Sequence, residues 1–369
     1  MTIDKRVTFS ALPKQFQRIE DLVMPDLIDL LRSGNYVNGF WVKNFEVAFA
    51  KFTHSKHAVG VNSGTSAIHA ALLACGISYG DEVIAPSHTF VATINAILLA
   101  GATPVLVDVD AHGLINSKEI GKVISNKTKA IIPVHLYGNV YEVANLSKYR
   151  SSGIYIIEDA SQAHGAKHAD GDPIGTHSDL TCYSLYPGKN LGAIGESGVI
   201  TTDSEDLELA CKLVRDWGSS TKYEHEYFGL NYRMDEIQGL FLSHKIKHLE
   251  DLNSRRIKIA TQYFEALRRY PIKFINSMEN GSVIHQFVIY VEERRSLQHF
   301  LASQGIDTLI HYPIPVHKQE FYMKKFGIQY LPFTEDLASR ILSIPVHENL
   351  SDLEISYVID KISEFYGKH

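Results

Sequence analysis

Three short stretches hold residue types able to carry out chemistry. Lys189 stands in Ser184-Leu185-Tyr186-Pro187-Gly188-Lys189-Asn190-Leu191-Gly192, an apolar turn loosened by glycines. A lysine in such surroundings can have a lowered pKa and form a Schiff base; the bland alternative is a surface lysine in a loop. Asp159, thirty residues earlier, lies in Glu158-Asp159-Ala160-Ser161-Gln162-Ala163-His164-Gly165, which begins at the C-terminal end of the most apolar strand-like run. Open α/β sheets bind ligands at that edge, where a carboxylate can pair with a protonated ring nitrogen or equally cap the next helix. Asn62-Ser63-Gly64-Thr65-Ser66 falls where a strand should end and an Ala/Leu-rich helix begin. Glycine lets backbone approach a ligand closely and free N–H groups at a helix start attract an anion, yet Ser63 and Thr65 are also good N-caps.

A phosphate-binding helix start, an acid for a pyridinium nitrogen and a Schiff-base lysine are together the parts that a pyridoxal phosphate site needs. Rival motifs fail on particular residues. A P-loop requires Gly at 183 and Ser or Thr at 190, whereas Tyr183 and Asn190 stand there. Glycines at 192, 195 and 198 do not have the dinucleotide-binding spacing. His244 and His248 lie four apart among Lys245, Lys247 and Glu250 with no third ligand nearby, and His164, His168 and His177 are spaced irregularly, so no metal is expected.

The elements that must position these residues follow from the apolar pattern. Short Val/Ile-rich runs ending at Val61, Pro86, Asp110, Leu136 and Ala160 alternate with segments of helical spacing such as 65–74 and 90–99, which predicts a mostly parallel sheet covered by helices. Strands are expected to stop after Thr202, and a long helical pattern from about Met234 serves as a connector. The chain of 369 residues is thus expected to divide into a large α/β domain, 1–249, and a smaller C-terminal α+β domain, 250–369, with the N-terminal segment free to pack on the latter. The smaller part should carry a strand within SVIHQFVIYV, a helix over 296–304 and a last helix from Leu353.

The formal net charge of −6 and the lack of long basic runs signal no nucleic-acid or anionic-membrane surface. No uninterrupted apolar stretch suits a membrane span and the first residues lack a signal-peptide pattern, so a cytoplasmic location is expected. Cys75, Cys182 and Cys211 read as small core hydrophobes.

Read block by block, the chain resembles the DegT/DnrJ-type sugar aminotransferases, a fold-type-I pyridoxal phosphate family. The likeness rests on NYVNGFWV, NSGTSA, GDEVIAPSHTFVAT, AIIPVHLYGN, EDASQAHGA, SLYPGKNLGAIGESG, GLNYRMDEIQ, HYPIPVHKQ and LSIPVHENLS, in the family's order. It implies that Lys189 holds the cofactor covalently and then shuttles a proton, and that Asp159 keeps the pyridine nitrogen protonated. Phe90 would stack on the ring and Gln162 touch its hydroxyl. The amides of Gly64, Thr65 and Ser66 and the Ser184 hydroxyl would hold the phosphate, joined by Asn231 from a partner subunit, so a homodimer with shared sites is implied. Tyr223, Arg233, His311, Tyr312 and His317 are the substrate candidates.

The chain departs from the family at Leu185, where Phe is usual, and at Gly195-Glu196-Ser197-Gly198, where GDGG is usual. A dehydratase branch has histidine at the position of Lys189, so lysine there favours amino transfer. The expectation is a ping-pong transfer from L-glutamate to a nucleotide-linked keto-deoxy-sugar, for polysaccharide or glycoside biosynthesis. SLYPGKN and the Lys222-Tyr223 pair resemble enzymes that aminate a dTDP-3-keto-6-deoxyhexose. The alternatives are a 4-keto substrate, a sugar dehydration or deoxygenation, and a catalytically idle regulatory relative.

Overall fold

The protein is described by a computed structural model covering residues 6–221, 223–278 and 281–367; Lys222 lies outside the described residues. The five apolar runs form β1 (His57–Val61), β2 (Glu82–Pro86), β3 (Thr103–Val107), β4 (Thr128–Ile131) and β5 (Tyr155–Asp159). Two further strands, β6 (Leu180–Ser184) and β7 (Gly198–Thr202), complete a seven-stranded sheet in the order β1-β7-β6-β5-β4-β2-β3. Pairing is parallel from β6 through β3, while β7 runs antiparallel to both β6 and β1. The strands are largely buried because helices cover both faces of the sheet.

Two expected strands end early for identifiable reasons. β3 stops before Asp108 because that carboxylate turns away to accept the N–H groups of Phe333 (3.0 Å) and Thr334 (2.8 Å), capping helix Pro332–Arg340. β4 stops at Ile131, just before Pro133, which has no N–H to give a ladder. The expectation that strands cease after Thr202 also needs correction, since Ser219–Thr221 and Glu224–His225 form a small hairpin.

A second apolar core packs helices Leu249–Leu267, Arg294–Ser303 and Asp352–Gly367 on an antiparallel sheet of Lys273–Phe274, Phe287–Tyr290 and Ile341–Ile344. The N-terminal segment joins it: Val7 is buried there and exchanges backbone hydrogen bonds with Gly305 (2.8 Å) and Asp307 (3.0 Å). Helices Glu236–Lys245 and Leu249–Leu267, linked by a 3-10 turn, connect the two cores. Cys182 and Cys211 are buried and Cys75 half-buried, all as free thiols. Among the described residues no helix is long and apolar enough to cross a membrane.

Helix Phe40–Thr53 has no capping side chain of its own. The buried Glu236 carboxylate supplies one from across the fold, accepting the N–H groups of Gly39 (2.7 Å), Trp41 (2.8 Å) and Val42 (3.0 Å). Three charge-assisted bonds to a helix start combine capping with a favourable dipole. Glu236→Ala is therefore expected to cost about 3 kcal/mol of stability, read as a lower urea midpoint with an unchanged slope.

Candidate active site

β5, β6 and the N-terminus of helix Gly64–Ala74 end on one pocket of about 520 Å³, where Gly64, Thr65, Phe90, Asp159, Gln162, Ser184, Lys189, His311 and Tyr312 meet. The Lys189 turn is held from both sides. Its own N–H donates to the Tyr186 carbonyl (2.9 Å), and Asn190 donates from its amide to Asn253 Oδ1 (2.8 Å) and the Ile284 carbonyl (3.3 Å). Burial pushes the Lys189 amine down to about 8, with Asp159 opposing the fall. An amine near neutrality is a usable nucleophile and proton carrier at cellular pH.

The anion cradle comes from a tight crossing of the helix start over β6. Ser63 caps the helix, taking the Ser66 N–H on its Oγ (3.0 Å), while Ala67 N–H reaches the Ser63 carbonyl (3.0 Å). The Gly64 and Thr65 N–H groups are left as the helix's open donors. A Cβ on Gly64 would lie 2.6 Å from the Ser184 Cβ, so glycine is required there. Gly198 is required too, because its Cβ would sit 2.3 Å from the Ser63 carbonyl oxygen. The GESG departure thus keeps the glycine that touches the cradle, while Ser197 is buried beside it and Glu196 borders the pocket.

Asp159 is 5% exposed, and its carboxylate is fixed by the Thr93 hydroxyl (2.8 Å) and the Ser161 N–H (3.1 Å). Gln162 accepts the Tyr137 N–H (2.5 Å) and donates to the Tyr312 hydroxyl (3.3 Å). The Phe90 ring, half exposed, lies 5.4 Å from that of Tyr312. His311 bonds Ser343 through Nδ1 (2.9 Å), and burial beside Lys189 pushes it down to about 4, so it stays neutral. Burial raises the Tyr312 hydroxyl, which also stays neutral.

Other candidates lie elsewhere in this chain. The Ser66 N–H is already spent on Ser63 and its hydroxyl on Asn62 (2.6 Å). Asn231 and Arg233 sit outside the pocket, Arg233 donating to Asn231 Oδ1 (3.1 Å) and pairing with Asp216 (3.4 Å). Tyr223 is largely exposed on the hairpin. His317 is buried against Glu335 (3.2 Å) and does not line the pocket. His244 bonds Asp26 (2.8 Å) rather than forming a metal pair with His248. Among the described residues the one cluster of metal-ligating types is Asp170, Asp172 and His177, none of which lines the pocket.

Sequence reasoning did not single out Thr93, Arg256 or His285. Thr93 is three residues after Phe90 inside the quoted HTFVAT block, a signal that was available. Arg256 and His285 reach the pocket from the connector helix and the small sheet, with no local mark.

The cradle without room for a Cβ, the buried carboxylate and the low-pKa lysine fit pyridoxal phosphate. Comparison with known proteins agrees: residues 17–363 match the DegT/DnrJ/EryC1/StrS aminotransferase family. The dTDP-3-amino-3,4,6-trideoxy-alpha-D-glucose transaminase of Streptomyces venezuelae is 37% identical, covering 98% of this chain and 96% of its own. The crystal structure of S. venezuelae DesV superposes with a TM-score of 0.95 at 37% identity, covering 98% of each chain. Bacillus subtilis NtdA, solved with bound PMP cofactor, gives 0.93 at 29% identity over 99% of this chain and 86% of that one. The chain belongs to the DegT/DnrJ/EryC1/StrS aminotransferase family and is a pyridoxal-phosphate-dependent sugar aminotransferase.

Proposed function

We propose that the enzyme moves the amino group of L-glutamate to a dTDP-linked 3-keto-6-deoxyhexose. The observation that carries the choice of sugar is the pocket lining. Phe9, Leu12, Leu309 and Val346 give it apolar walls, which suit a deoxy carbon. Its one guanidinium, Arg256, is already paired with Glu348 (2.9 Å). Among the described lining residues that leaves no free cation besides Lys189 for a sugar carboxylate, so a neutral deoxy-sugar is favoured over a uronic acid. The amino-trideoxy-glucose named for the S. venezuelae relative supports the same class.

Pyridoxal phosphate, when bound, supplies the carbonyl that takes up the amino group and an electron-withdrawing ring. The chain's residues do the rest. The Gly64 and Thr65 N–H groups and the Ser184 hydroxyl would hold the phosphate, Phe90 would cover the ring, and Gln162 would meet its hydroxyl. Asp159 would hold a proton at the ring nitrogen, while Lys189, near neutrality, would take and return the proton at the substrate carbon. His311 and Tyr312, both neutral, are placed to receive sugar hydroxyls. Asn231, Arg233 and Tyr223 would serve the pocket of a second copy in a homodimer. The exposed Trp217, Tyr227 and Phe228 near Asn231 support such a contact. The same reading divides the chain at 249/250, in line with its second apolar core.

The test is product analysis by mass spectrometry with L-glutamate and three acceptors: the 3-keto and 4-keto forms of a dTDP-6-deoxyhexose and a UDP-linked 3-keto uronic acid. Nitrogen gain fastest with the 3-keto deoxy-sugar is the expected result. Preference for the uronic acid overturns the sugar assignment, and loss of water without nitrogen gain overturns amino transfer.

A further inference from the structure

Tyr137 does not line the pocket, yet its N–H, its carbonyl and its hydroxyl each reach a residue that does. The N–H donates to Gln162 Oε1 (2.5 Å), and the carbonyl accepts from the N–H groups of His285 (3.0 Å) and Gln286 (3.4 Å). The hydroxyl donates to the His311 carbonyl. The residue is fully buried with φ +64° and ψ 0°, a left-handed conformation that a bulky side chain rarely adopts. Such a conformation persists only where the surroundings over-determine it, and it is common at working sites. Here the surroundings are tight, since a Cβ on the next residue, Gly138, would sit 1.9 Å from the Val283 carbonyl oxygen.

The direction of each bond follows from what the partners can do. A phenol has one proton, and a carbonyl can only accept, so the Tyr137 proton goes to His311. His88 Nε2, 2.7 Å from the phenol oxygen, must then be the donor to it, while His88 Nδ1 has no partner among the described residues. Burial pushes His88 down to about 4 and raises the Tyr137 hydroxyl well above its ordinary value, so neither ionises near neutrality. The Gln162 amide is oriented in the same way. Its Oε1 is taken by the Tyr137 N–H, so its NH₂ is the end that meets the Tyr312 hydroxyl (3.3 Å).

We propose that Tyr137 is a positioning residue for the sugar, its hydroxyl pinning the His311-Tyr312 wall of the pocket to the large sheet. His88 follows β2 and Tyr137 follows β4, whereas His311 lies on a segment that hangs from the small sheet through paired backbone bonds of Leu309 and Ser343 (3.1 and 2.8 Å). The directed chain from His88 through Tyr137 to His311 therefore crosses from one core to the other beside the pocket. Lys189 and Asp159 are touched by none of its bonds, so the pin sets where the sugar is met and not how the cofactor is held. Tyr137→Phe keeps the ring and both peptide contacts and cuts only the tie to His311.

The proposal rests on His311 and Tyr312 receiving the sugar. It is tested on the cofactor-loaded full-length enzyme by stopped-flow absorbance of each half-reaction, with thermal melting alongside. The acceptor is whichever of the three named above the parent aminates fastest, so the sugar's identity does not enter. Tyr137→Phe should weaken apparent acceptor affinity about tenfold while the glutamate half-reaction stays within about threefold of the parent. His88→Leu removes a buried hydrogen bond from the same chain but leaves Tyr137 bonded to His311. It should melt lower, as Tyr137→Phe does, with acceptor affinity within about threefold of the parent. Unchanged acceptor affinity in Tyr137→Phe overturns the proposal, as does an equal loss in both half-reactions or in both variants, which marks a structural role only. His311→Ala shows where a failure lies. If it too leaves acceptor affinity unmoved, the sugar does not meet this wall; if it alone weakens affinity, the wall stands and the role of Tyr137 falls.

Discussion

Lys189→Ala is expected to lower the rate of amino transfer by at least about a thousandfold while leaving the fold intact, since both the covalent anchor and the proton carrier go with one side chain. Mass detection of transferred nitrogen measures it, and turnover within tenfold of the parent would sink the assignment. Lys189→Met tests the physical cause. The amine is lowered from its ordinary 10.5 to about 8. Below about pH 8 the lysine is charged in both states and the folded chain bears the full desolvation cost. Between about 8 and 10.5 the unfolded chain keeps a proton that the folded chain has released, so stability rises with pH and the cost disappears. Methionine removes the charge at similar length. The cofactor-free variant should be about 1–2 kcal/mol more stable than the parent at pH 7, after allowance for solvent screening, and nearly equal to it at pH 10.5. An activity-destroying change that stabilises the empty protein at neutral pH would show that the site stores unfavourable burial for use in chemistry.

The motifs legible in sequence were those whose chemistry is local. NSGTSA, EDASQ and SLYPGKN each join a strand end to a turn, so each places its own residues at the sheet edge, and seven of the nine expected cofactor residues line the pocket. Ser66 departs from expectation because a cap takes its N–H, a choice made by the Ser63 rotamer rather than by the motif. Asn231 lies outside this chain's pocket, which is why its role is proposed only for the site of a second copy. The β5 run was plain because its Tyr-Ile-Ile stretch leads straight into the acidic pair at the sheet edge, whereas β6 (LTCYS) and β7 (GVITT) mix in hydroxyl side chains that read as half-exposed. They are buried because the sheet is covered on both faces, and Thr202 uses its hydroxyl on the Asp179 carbonyl (2.7 Å). Long-range partners such as Glu236 for helix Phe40–Thr53, or Asn253 for Asn190, carry no local signal. They are matched across 194 and 63 positions, and only the fold brings them together.

Asp159→Asn should cost about two to four orders of magnitude in the glutamate half-reaction and weaken cofactor retention by about tenfold. The size follows from how the carboxylate is held. Thr93 donates to one oxygen at 2.8 Å and the Ser161 N–H to the other at 3.1 Å, so the side chain cannot rotate to compensate. Each oxygen still has a lone pair for the pocket, and only a charged carboxylate can keep a proton on a partner nitrogen. An amide of the same shape must also turn its NH₂ toward either the Thr93 hydroxyl or the Ser161 N–H. The Ser161 N–H cannot accept it, so the NH₂ faces Thr93, whose hydroxyl must then give up donating there. The charge is therefore lost and the local network is inverted in one substitution. Thr93→Val separates the two effects by keeping the charge and removing one restraint, and its loss should be about tenfold. Stopped-flow absorbance of the bound cofactor after mixing with L-glutamate reads both variants. Equal losses would mean that orientation, and not charge, is what Asp159 supplies; a loss within threefold for Asp159→Asn would remove it from the reaction altogether.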